Sequence, residues 1–589
     1  MNDILGKLHK PEPIKARIAE TQDRHASTAR GDITVTPRLH IIATVINIDR
    51  NETFYQIAYE DIEGVSQTKM LPRELFNRPF RVVESLSRWG AALPDNPKAA
   101  VKIVNEAILS KSATIRRVTE RAGWYEGRSF VYPGETFGEH AGKVLYQRSD
   151  NLTPALGLTA GTLKAWQEGL LEPSKYSDYL IIAIGHKAAN AFLEPMGEQE
   201  GCILHLHGSK SDSSEKAASS SGKTLATRVA ASLTGRCMKS DMVSFAISEL
   251  GLGDLAAAQN HLGVEIDEIG RADTNAKGPR MGANQFSYQF ASGRGSFRSK
   301  RASRDPDLQN RVWLGNAISN GEPTLDGVGR EQQRAEGEKV RMIGLPVPSG
   351  AEGGIFNRLK DKSARKRAEH CKALAELTEN AISANYGVLF PQLIRAIIPS
   401  RVAMSERLRR RVARLVQEAG ADSNPWERRF ARKLALAAAT AMELSSLHLV
   451  PWSEKRAKRA FLRMYRQARG AVATIDELAD GTVARLRTLL LDSSPPKLEK
   501  GTKPSDREWE RAQDGFLRKI PGIGLAFVIP MARFEKLVSR RGTAGAVIQK
   551  LAQQRIAHPG EDGSPTRQVA IEGRGRRRYA CFDAGALRR

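Results

Sequence analysis

An apolar run, a polar loop and a Gly-Lys-Thr turn follow one another between residues 202 and 224, and this stretch constrains the fold more than any other. Residues 202–206 predict a buried strand, and residues 225–233 predict a helix. In a strand–loop–helix unit, backbone N–H groups and the positive end of the helix can bind phosphate. The stretch therefore predicts an α/β domain with a phosphate-binding loop.

The loop departs from the usual spacing G-x-x-x-x-G-K-[ST]. Ala217 stands where the first glycine belongs, and the nearest upstream glycine is Gly208. Thirteen residues separate Gly208 from Gly222, where the usual spacing has four. The loop is therefore either expanded by nine residues or lacks its first glycine.

The residues at the end of the loop have distinct tasks in nucleotide chemistry. We expect Lys223 to contact the β and γ phosphates of ATP, and Thr224 to place its hydroxyl on Mg²⁺. The predicted ATP-binding residues are Gly208, Ser221, Gly222, Lys223 and Thr224.

A second apolar run, residues 264–268, ends in two acids. We expect Asp267 to hold the Mg²⁺ shell and Glu268 to orient or deprotonate the attacking water. Glu265 is unusual, because it places a charge within a strand that is normally apolar. The alternative to an ATPase is a surface strand that ends in acids.

The chain is strongly basic, with 91 Lys+Arg against 66 Asp+Glu in 589 residues. The clustering of arginines favours a polyanionic partner, first of all DNA, over a soluble basic surface. The four cysteines have no metal or disulfide spacing. His205 and His207 have no partner pair elsewhere, so core packing or surface exposure is favoured over metal binding. No apolar run reaches the ~18 residues of a membrane span and no signal peptide is recognised, so we expect a cytoplasmic protein without a membrane partner.

Changes of pattern along the chain predict a multidomain α/β protein. The predicted parts are a flexible arm at 1–36, an N-terminal α+β module at 37–160, a P-loop ATPase domain at 161–350, a basic helical region at 351–490, a linker at 491–506 and a winged-helix-like domain at 507–589. The last domain is predicted from helices followed by a basic, Gly-rich turn between apolar strands. A wing that contacts DNA explains this turn, with a solvated turn as the alternative; its arginines are Arg574, Arg576, Arg577 and Arg578.

Several short stretches lie in a specific order over residues 40–470. They are Gly123-Trp124, Gly222-Lys223-Thr224, Ile266-Asp267-Glu268-Ile269, residues 290–295, Trp313, Ser319-Asn320-Gly321-Glu322, residues 337–341, Tyr386-Gly387 and Val450-Pro451-Trp452. Together they resemble the proteins of domain-of-unknown-function family 927, P-loop proteins of plasmids, phages and other mobile elements. The resemblance implies a RecA/AAA+-like ATPase core. It also implies DNA-stimulated ATP hydrolysis and action on single-stranded or forked DNA by a homo-oligomer such as a hexamer.

The resemblance also implies roles for residues outside the loop. Asn320, or Ser319, would help to orient the attacking water, with turn chemistry as the alternative. Arg341 is the candidate for the arginine that reaches a neighbouring subunit's γ-phosphate, and Arg330 and Arg334 compete with it. A basic hairpin would grip the DNA backbone, against the alternative of a solvated loop; its cations are Arg294, Arg298, Lys300 and Arg301.

A further basic group lies on a predicted helix, and for it DNA contact and a solvated helix face are equally open. Its members are Arg407, Arg409, Arg410, Arg411 and Arg414.

Two functions from different classes follow. The first is an ATP-dependent DNA translocase or helicase-like ATPase that serves replication of a plasmid, phage or integrated mobile element. The second is a catalytically inactive nucleotide-binding or DNA-binding protein with a structural or regulatory role. Lys223, Asp267 and Glu268 favour the first, whereas the atypical loop and Glu265 favour the second. An ATPase of phage defence is a third possibility.

Overall fold

The computed structural model describes residues 39–147, 153, 155–208, 221–244, 247–267, 283–295, 311–321, 336–361, 363–422, 424–538, 543–560 and 562–588. The predicted arm at 1–36 lies outside these residues. The chain divides into two compact units, Met1–Val45 with Thr53–Ile115, and Ile46–Glu52 with Arg116–Arg589. In the described part, no helix combines the length and the apolar composition that crossing a bilayer requires.

Strands and helices are mixed along the described chain. The strands are β1 His40–Asn47, β2 Glu52–Glu60, β3 Ser66–Pro72, β4 Ile115–Thr119, β5 Gly123–Tyr125, β6 Ser129–Tyr132, β7 Glu135–Gly138, β8 Val144–Tyr146, β9 Ile203–Gly208, β10 Val243–Ser244, β11 Val264–Asp267, β12 Ala317–Gly321, β13 Met342–Val347, β14 Phe516–Ile520, β15 Gly524–Pro530, β16 Arg567–Ile571 and β17 Gly575–Asp583. The helices are α1 Pro79–Arg88, α2 Pro97–Leu109, α3 Leu163–Tyr176, α4 Asp178–Ala188, α5 Lys223–Ala231, α6 Glu249–Gln259, α7 Ala283–Ser292, α8 Glu336–Arg341, α9 Ala364–Ala384, α10 Leu389–Ile397, α11 Arg401–Glu418, α12 Pro425–Ser446, α13 Glu454–Val472, α14 Ile475–Asp492, α15 Asp506–Ala512, α16 Met531–Leu537, α17 Ala544–Gln553 and α18 Ala584–Arg588.

The N-terminal unit packs two helices against a β-sheet. β2 and β3 pair antiparallel, with Tyr55 opposite Leu71. Burial alternates along β2, as expected for a strand with one face on a core. Val82, Leu86 and Val104 of α1 and α2 complete that core. The unit therefore combines strands and helices.

The structure ends this unit at residue 115, whereas the sequence predicts a module that extends to residue 160. β5, β6 and β7 form a small three-stranded sheet that belongs to the larger unit. Phe130 of β6 packs against Phe390 of α10, with ring centroids 6.0 Å apart. The indole N–H of Trp124 donates to the carbonyl oxygen of Ala191 over 2.9 Å. Contacts between residues far apart in sequence decide this boundary, and local periodicity does not report them.

The larger unit contains a five-stranded parallel sheet with the order β10-β11-β12-β9-β13. β12 lies between β9 and β11, so that Ala317 pairs with both Ile203 and Val264. Every residue of β9 is buried, and the Nδ1 of His205 lies 3.0 Å from the Oγ of Ser319. The predicted packing role of His205 is therefore confirmed. The described residues also contain no group of three His, Cys, Asp or Glu side chains that could hold a metal ion.

The helical region packs directly on this sheet. α4 is buried along its whole length and contacts both α12 and α13. Leu204, Leu206 and Ile343 of the sheet form one hydrophobic core with buried side chains of α4 and of α9 to α13. The boundary that the sequence predicts at residue 350 therefore does not separate two cores. Other strand residues, such as Ile203 and Ile266, belong to a separate core with α6 and α7.

The C-terminal part is a four-stranded antiparallel sheet, ordered β14-β15-β17-β16. Phe527 and Phe582 face a core formed with α14, α16 and α17. Phe516 and Val528 face a second core, to which α15 and Leu498 contribute. The sheet is thus covered on both faces.

Two predictions for this region need correction. α14 packs Leu478 and Leu486 into the C-terminal core, although the sequence assigns most of it to the helical region. Part of the predicted linker at 491–506 is bound to the C-terminal sheet, because the Leu498 N–H donates to the Leu517 carbonyl over 2.9 Å. The sequence does not predict β14, since two of its five residues are charged. The predicted helix and basic hairpin correspond to α17, β16 and β17.

Candidate nucleotide-binding site

The Gly-Lys-Thr turn lies at the carboxyl edge of the parallel sheet, where it begins α5. Gly222 has a φ of +82°, a left-handed conformation that disfavours other residues. A Cβ at this position would also lie 2.9 Å from the Cγ1 of Ile355. Position 222 therefore needs a glycine for two reasons: the left-handed backbone conformation and the lack of space for a Cβ beside Ile355. Residues 209–220, which would decide between an expanded loop and a lost glycine, lie outside the described residues.

Lys223 is buried at the first turn of α5, with 6% of its surface exposed. Its Nζ donates to the Oγ of Ser221 over 3.1 Å. The start of a helix adds positive potential at this position, which suits an anion. Phosphate binding by Lys223 stays a prediction.

Thr224 and Asp267 come together from two elements that are distant in sequence. The Thr224 hydroxyl lies 3.4 Å from the Oδ1 of Asp267, the last residue of β11. Asp267 is itself buried, with 7% exposure. Hydroxyl and carboxylate oxygens are ligands that Mg²⁺ accepts, and Mg²⁺ usually takes few protein ligands beside water and phosphate. This pair therefore fits the predicted Mg²⁺ site.

Asn320 lies on the strand between the phosphate loop and the acids. Its Nδ2 donates to the Oγ1 of Thr227 in α5 over 3.3 Å, and the residue is buried. The hydroxyl of Ser319 is instead engaged with His205 inside the sheet. Both residues belong to β12, so turn chemistry does not account for them. Asn320 is thus the better placed of the two polar candidates.

Several predicted residues cannot be compared with the structure. Glu268, the predicted base, follows the last described residue of β11 and lies outside the described residues. The same holds for three cations of the basic segment, Arg298, Lys300 and Arg301, and for Arg330 and Arg334, the two arginines that compete with Arg341.

The charge of Glu265 has a structural explanation. Its Oε1 lies 2.6 Å from the Nζ of Lys187 on α4, and both side chains are buried. Lys187 also donates to the carbonyl of Gly263 over 3.0 Å. Burial raises the pKa of Glu265 and lowers that of Lys187, while each partner opposes the other's shift. Glu265 is therefore no argument against the ATPase, and its partner lies too far away in sequence to be predicted.

Arg341 lies at the opposite, amino edge of the sheet. Met342, the next residue, pairs with Ile203 at the start of β9, whereas the phosphate loop follows the end of that strand. The Nη2 of Arg341 donates to Glu200 over 2.9 Å, and its guanidinium lies 5.2 Å from the ring of Tyr288. This position excludes a role at the phosphates of its own chain. A role at a neighbouring subunit stays a prediction.

Residues on the two sides of the basic segment pair with each other. Arg294 forms an antiparallel bridge with Val312, and the Trp313 N–H donates to the Gly293 carbonyl over 2.9 Å. Arg294 is exposed on this paired stem. Residues 296–310 lie outside the described residues, so the predicted hairpin and its DNA contact stay predictions.

The basic group on α11 is only partly available for a partner. Arg407 and Arg411 both pair with Glu443, which is fully buried. Arg411 also binds Glu454 over 2.9 Å. These two arginines hold α11 against α12, a role that sequence analysis does not reveal. The remaining exposed members are Arg409, Arg410 and Arg414.

Two of the four arginines of the C-terminal hairpin lie over one aromatic ring. The guanidinium groups of Arg574 and Arg577 lie 5.4 and 6.0 Å from the ring of Trp509. Arg578 pairs with Asp562 over 2.5 Å, and Arg576 is exposed on β17. Arg574 also pairs with Asp506, so two of the four arginines have an aspartate partner. Contact of this hairpin with DNA stays a prediction.

Comparison with known proteins agrees with this description. The family model described as domain of unknown function (DUF927) matches residues 11–310, and the chain belongs to this family. The chain is also similar to a solved structure described as "SCCmec type IV Cch - active helicase". The two share 13% sequence identity with a TM-score of 0.55 over 93% of each chain, which shows a common fold. No curated protein matches the sequence.

Proposed function

We propose that this DUF927 protein is an ATP-dependent DNA translocase or helicase-like ATPase that serves replication of a plasmid, phage or integrated mobile element. The observation that carries the proposal is a set of polar side chains at one edge of the parallel sheet: the buried Lys223, Asp267 and Asn320, and the partly buried Thr224. A fold shared with a structure described as an active helicase supports it.

The strand order supports a RecA/AAA+-like core. β12 separates the phosphate-loop strand from the strand that ends in Asp267. A polar side chain near the end of β12 consequently lies between the phosphate helix and the acid. Asn320 occupies this place, which is where the resemblance expects a residue that orients water.

The chemistry proposed for the site is phosphoryl transfer from ATP to water. The N–H groups at the start of α5 and the Lys223 ammonium would bind the β and γ phosphates. Mg²⁺ held by Thr224 and Asp267 would offset the charge of the phosphate oxygens. Asn320 would hold the attacking water in line, and Glu268 would accept its proton. In a homo-oligomer, Arg341 would reach the γ-phosphate of a neighbouring subunit.

DNA binding is proposed for two basic surfaces. On the hairpin stem, Arg294 would contact phosphate together with Arg298, Lys300 and Arg301 of the following segment. On the C-terminal winged-helix-like domain, Arg576 and its neighbours would contact the DNA backbone. Both contacts are electrostatic, so the affinity for DNA should fall steeply with salt.

The alternative is a catalytically inactive nucleotide-binding or DNA-binding protein. Ala217, in place of the first glycine, is the observation that favours it. The other argument, the charge of Glu265, is answered by Lys187.

The test is steady-state ATP hydrolysis with and without single-stranded DNA. We expect DNA to accelerate hydrolysis by the wild type, and Lys223→Ala to lower the rate by roughly 100-fold or more, since a principal phosphate contact is lost. Lys372→Ala is the matched control, because Lys372 is exposed on α9. A wild type that hydrolyses no ATP at any DNA concentration would exclude the ATPase. Unwinding of a forked duplex then distinguishes a helicase from other ATPases.

A further inference from the structure

The loop after β13 lies directly against the end of the phosphate loop. The Ile355 N–H donates to the Ser221 carbonyl over 2.9 Å. Gly354 has a φ of +54°, and a Cβ on it would lie 2.4 Å from the Ser221 carbonyl oxygen. The side chain of Ile355 fills the space beside Gly222. The two loops therefore touch backbone to backbone, and any side chain at position 354 would separate them.

The same loop is anchored to the helices behind it. The Ser177 hydroxyl donates to the Ile355 carbonyl over 2.7 Å. Asn357 both donates to the Asp178 carboxylate and accepts from the Asp178 N–H, each over 3.0 Å. The loop thus connects the start of α4 to the Gly-Lys-Thr turn.

Asp178 is itself held by the helical region. It is fully buried and accepts hydrogen bonds from Arg456 and Arg463 of α13. Burial by itself raises the pKa of Asp178, but the two guanidinium groups outweigh this and hold that pKa below its usual value. Moving the loop would disturb this buried ion cluster, so the loop offers a rigid support.

We propose that residues 354–357, which we call the supporting loop, position the Gly222-Lys223 turn for phosphate binding. An ordinary phosphate loop is a short span between two glycines, whereas the position of the first glycine is occupied here by Ala217. The supporting loop holds the Ser221 carbonyl from outside the motif, so the N–H groups at the start of α5 stay in place. Gly354 and Ile355 are positioning residues, and the inference rests on the proposed nucleotide-binding function.

The test compares two glycine substitutions in the full-length protein. Gly354→Ala introduces a left-handed alanine that collides with Ser221. Gly420→Ala introduces a left-handed alanine as well, since Gly420 has a φ of +70°, but nothing lies within 4 Å of its Cβ position. We expect Gly354→Ala to raise the KM for ATP and the Kd for a fluorescent ATP analogue by about 10-fold or more, consistent with a displaced site. Gly420→Ala should leave both values unchanged.

Asn357→Ala serves as the second variant, because it removes the link to Asp178 without touching Ser221. We expect a KM for ATP raised about 2- to 5-fold, with a smaller change in kcat, as lost positioning predicts. If the melting temperature of Gly354→Ala lies well below that of Gly420→Ala, misfolding could explain its weaker ATP binding, and Asn357→Ala then decides. An unchanged KM for ATP in Asn357→Ala overturns the inference. Equal ATP affinities of wild type and a well-folded Gly354→Ala overturn it too and leave the proposed function standing. A wild type that neither binds nor hydrolyses ATP overturns both.

Discussion

The two edges of the parallel sheet both carry buried polar side chains, but these side chains are engaged in different ways. At the amino edge, the Asn316 Oδ1 accepts from the Cys202 N–H over 3.0 Å, and the Asn190 Oδ1 accepts from the Asn316 N–H over 2.6 Å. Asn260 likewise accepts from the Leu314 N–H over 2.8 Å. These amides bind backbone groups that would otherwise be buried without partners, which stabilises the fold.

At the carboxyl edge, polar side chains lie next to one another instead. Lys223 contacts Ser221, and Thr224 lies 3.4 Å from Asp267. Such groups are suited to a ligand with several charges, because they converge on one place and come from separate elements. The comparison teaches that burial of a polar residue does not by itself indicate function. The kind of partner distinguishes a residue that holds the fold from one that would bind a ligand.

The largest effect on stability is expected at the Lys187–Glu265 pair, which lies in the amino half of β11. Lys187→Met leaves a buried carboxylate without its cation and should lower the free energy of unfolding by about 3–5 kcal/mol. The double variant Lys187→Met/Glu265→Leu should recover most of this loss, because no buried charge then lacks a partner. Urea denaturation measures both. A double variant as unstable as the single one would show that the pair contributes more than charge neutralisation.

Asn316, just before β12, and Asn320, near the end of β12, offer the closest comparison of the two edges. Asn316→Ala removes the acceptor for a buried N–H and should cost about 2 kcal/mol of stability, while hydrolysis per folded molecule is kept. Asn320→Ala loses the hydrogen bond to Thr227 and should cost about 1 kcal/mol of stability, but it should lower kcat by about 10- to 100-fold, because Asn320 is proposed to orient the water. Denaturant titration and ATPase assays measure the two effects. If both variants lost stability and kcat to the same extent, polar residues at the two edges of the sheet would not differ in function.

Acidification should lower the free energy of unfolding by a smaller amount, because two buried histidines lie near the amino edge of the sheet. Burial lowers the pKa of His186 from 6.5 to about 4 and that of His261 from 6.5 to about 3. The unfolded chain therefore binds protons below pH 6.5 that the folded chain does not, and stability falls as the pH drops from 6.5 towards these values. At pH 5.5 the loss should be about 1.4 kcal/mol for each histidine.

Denaturation at pH 7.5 and pH 5.5 checks this expectation. His261→Gln should halve the loss of unfolding free energy between pH 7.5 and pH 5.5, since one of the two titrating histidines is removed. A wild type whose stability does not change over this range would contradict it.

Much of the candidate site follows from the sequence, because its parts are local. The strand, the Gly-Lys-Thr turn and the helix after it are neighbours in the chain, and the structure has β9, Gly222 and α5 in that order. The acid at the end of β11 is also found from an apolar run that ends in charge. The supporting loop is different. Gly354 follows Gly222 by more than a hundred residues, and nothing in its own sequence indicates contact with Ser221.

Charged residues show the same limit. The sequence treats Arg407 and Arg411 as members of a basic surface, whereas the structure pairs both with the buried Glu443. It treats Glu265 as an anomaly, whereas Lys187 neutralises it. The pattern of charges in the sequence does not reveal which charged side chains form buried ion pairs, since that depends on which helix packs against them.

The sequence by itself determined that the protein has several α/β parts and where its Gly-Lys-Thr turn lies. Periodicity and turn residues act over a few positions, so the strands, the helices and the Gly-Lys-Thr motif can be found without long-range information. Only the tertiary structure decided the domain boundaries, the strand order and the partners of buried charges. These depend on contacts between distant segments, which are made only where burial of apolar surface and pairing of polar groups are satisfied together.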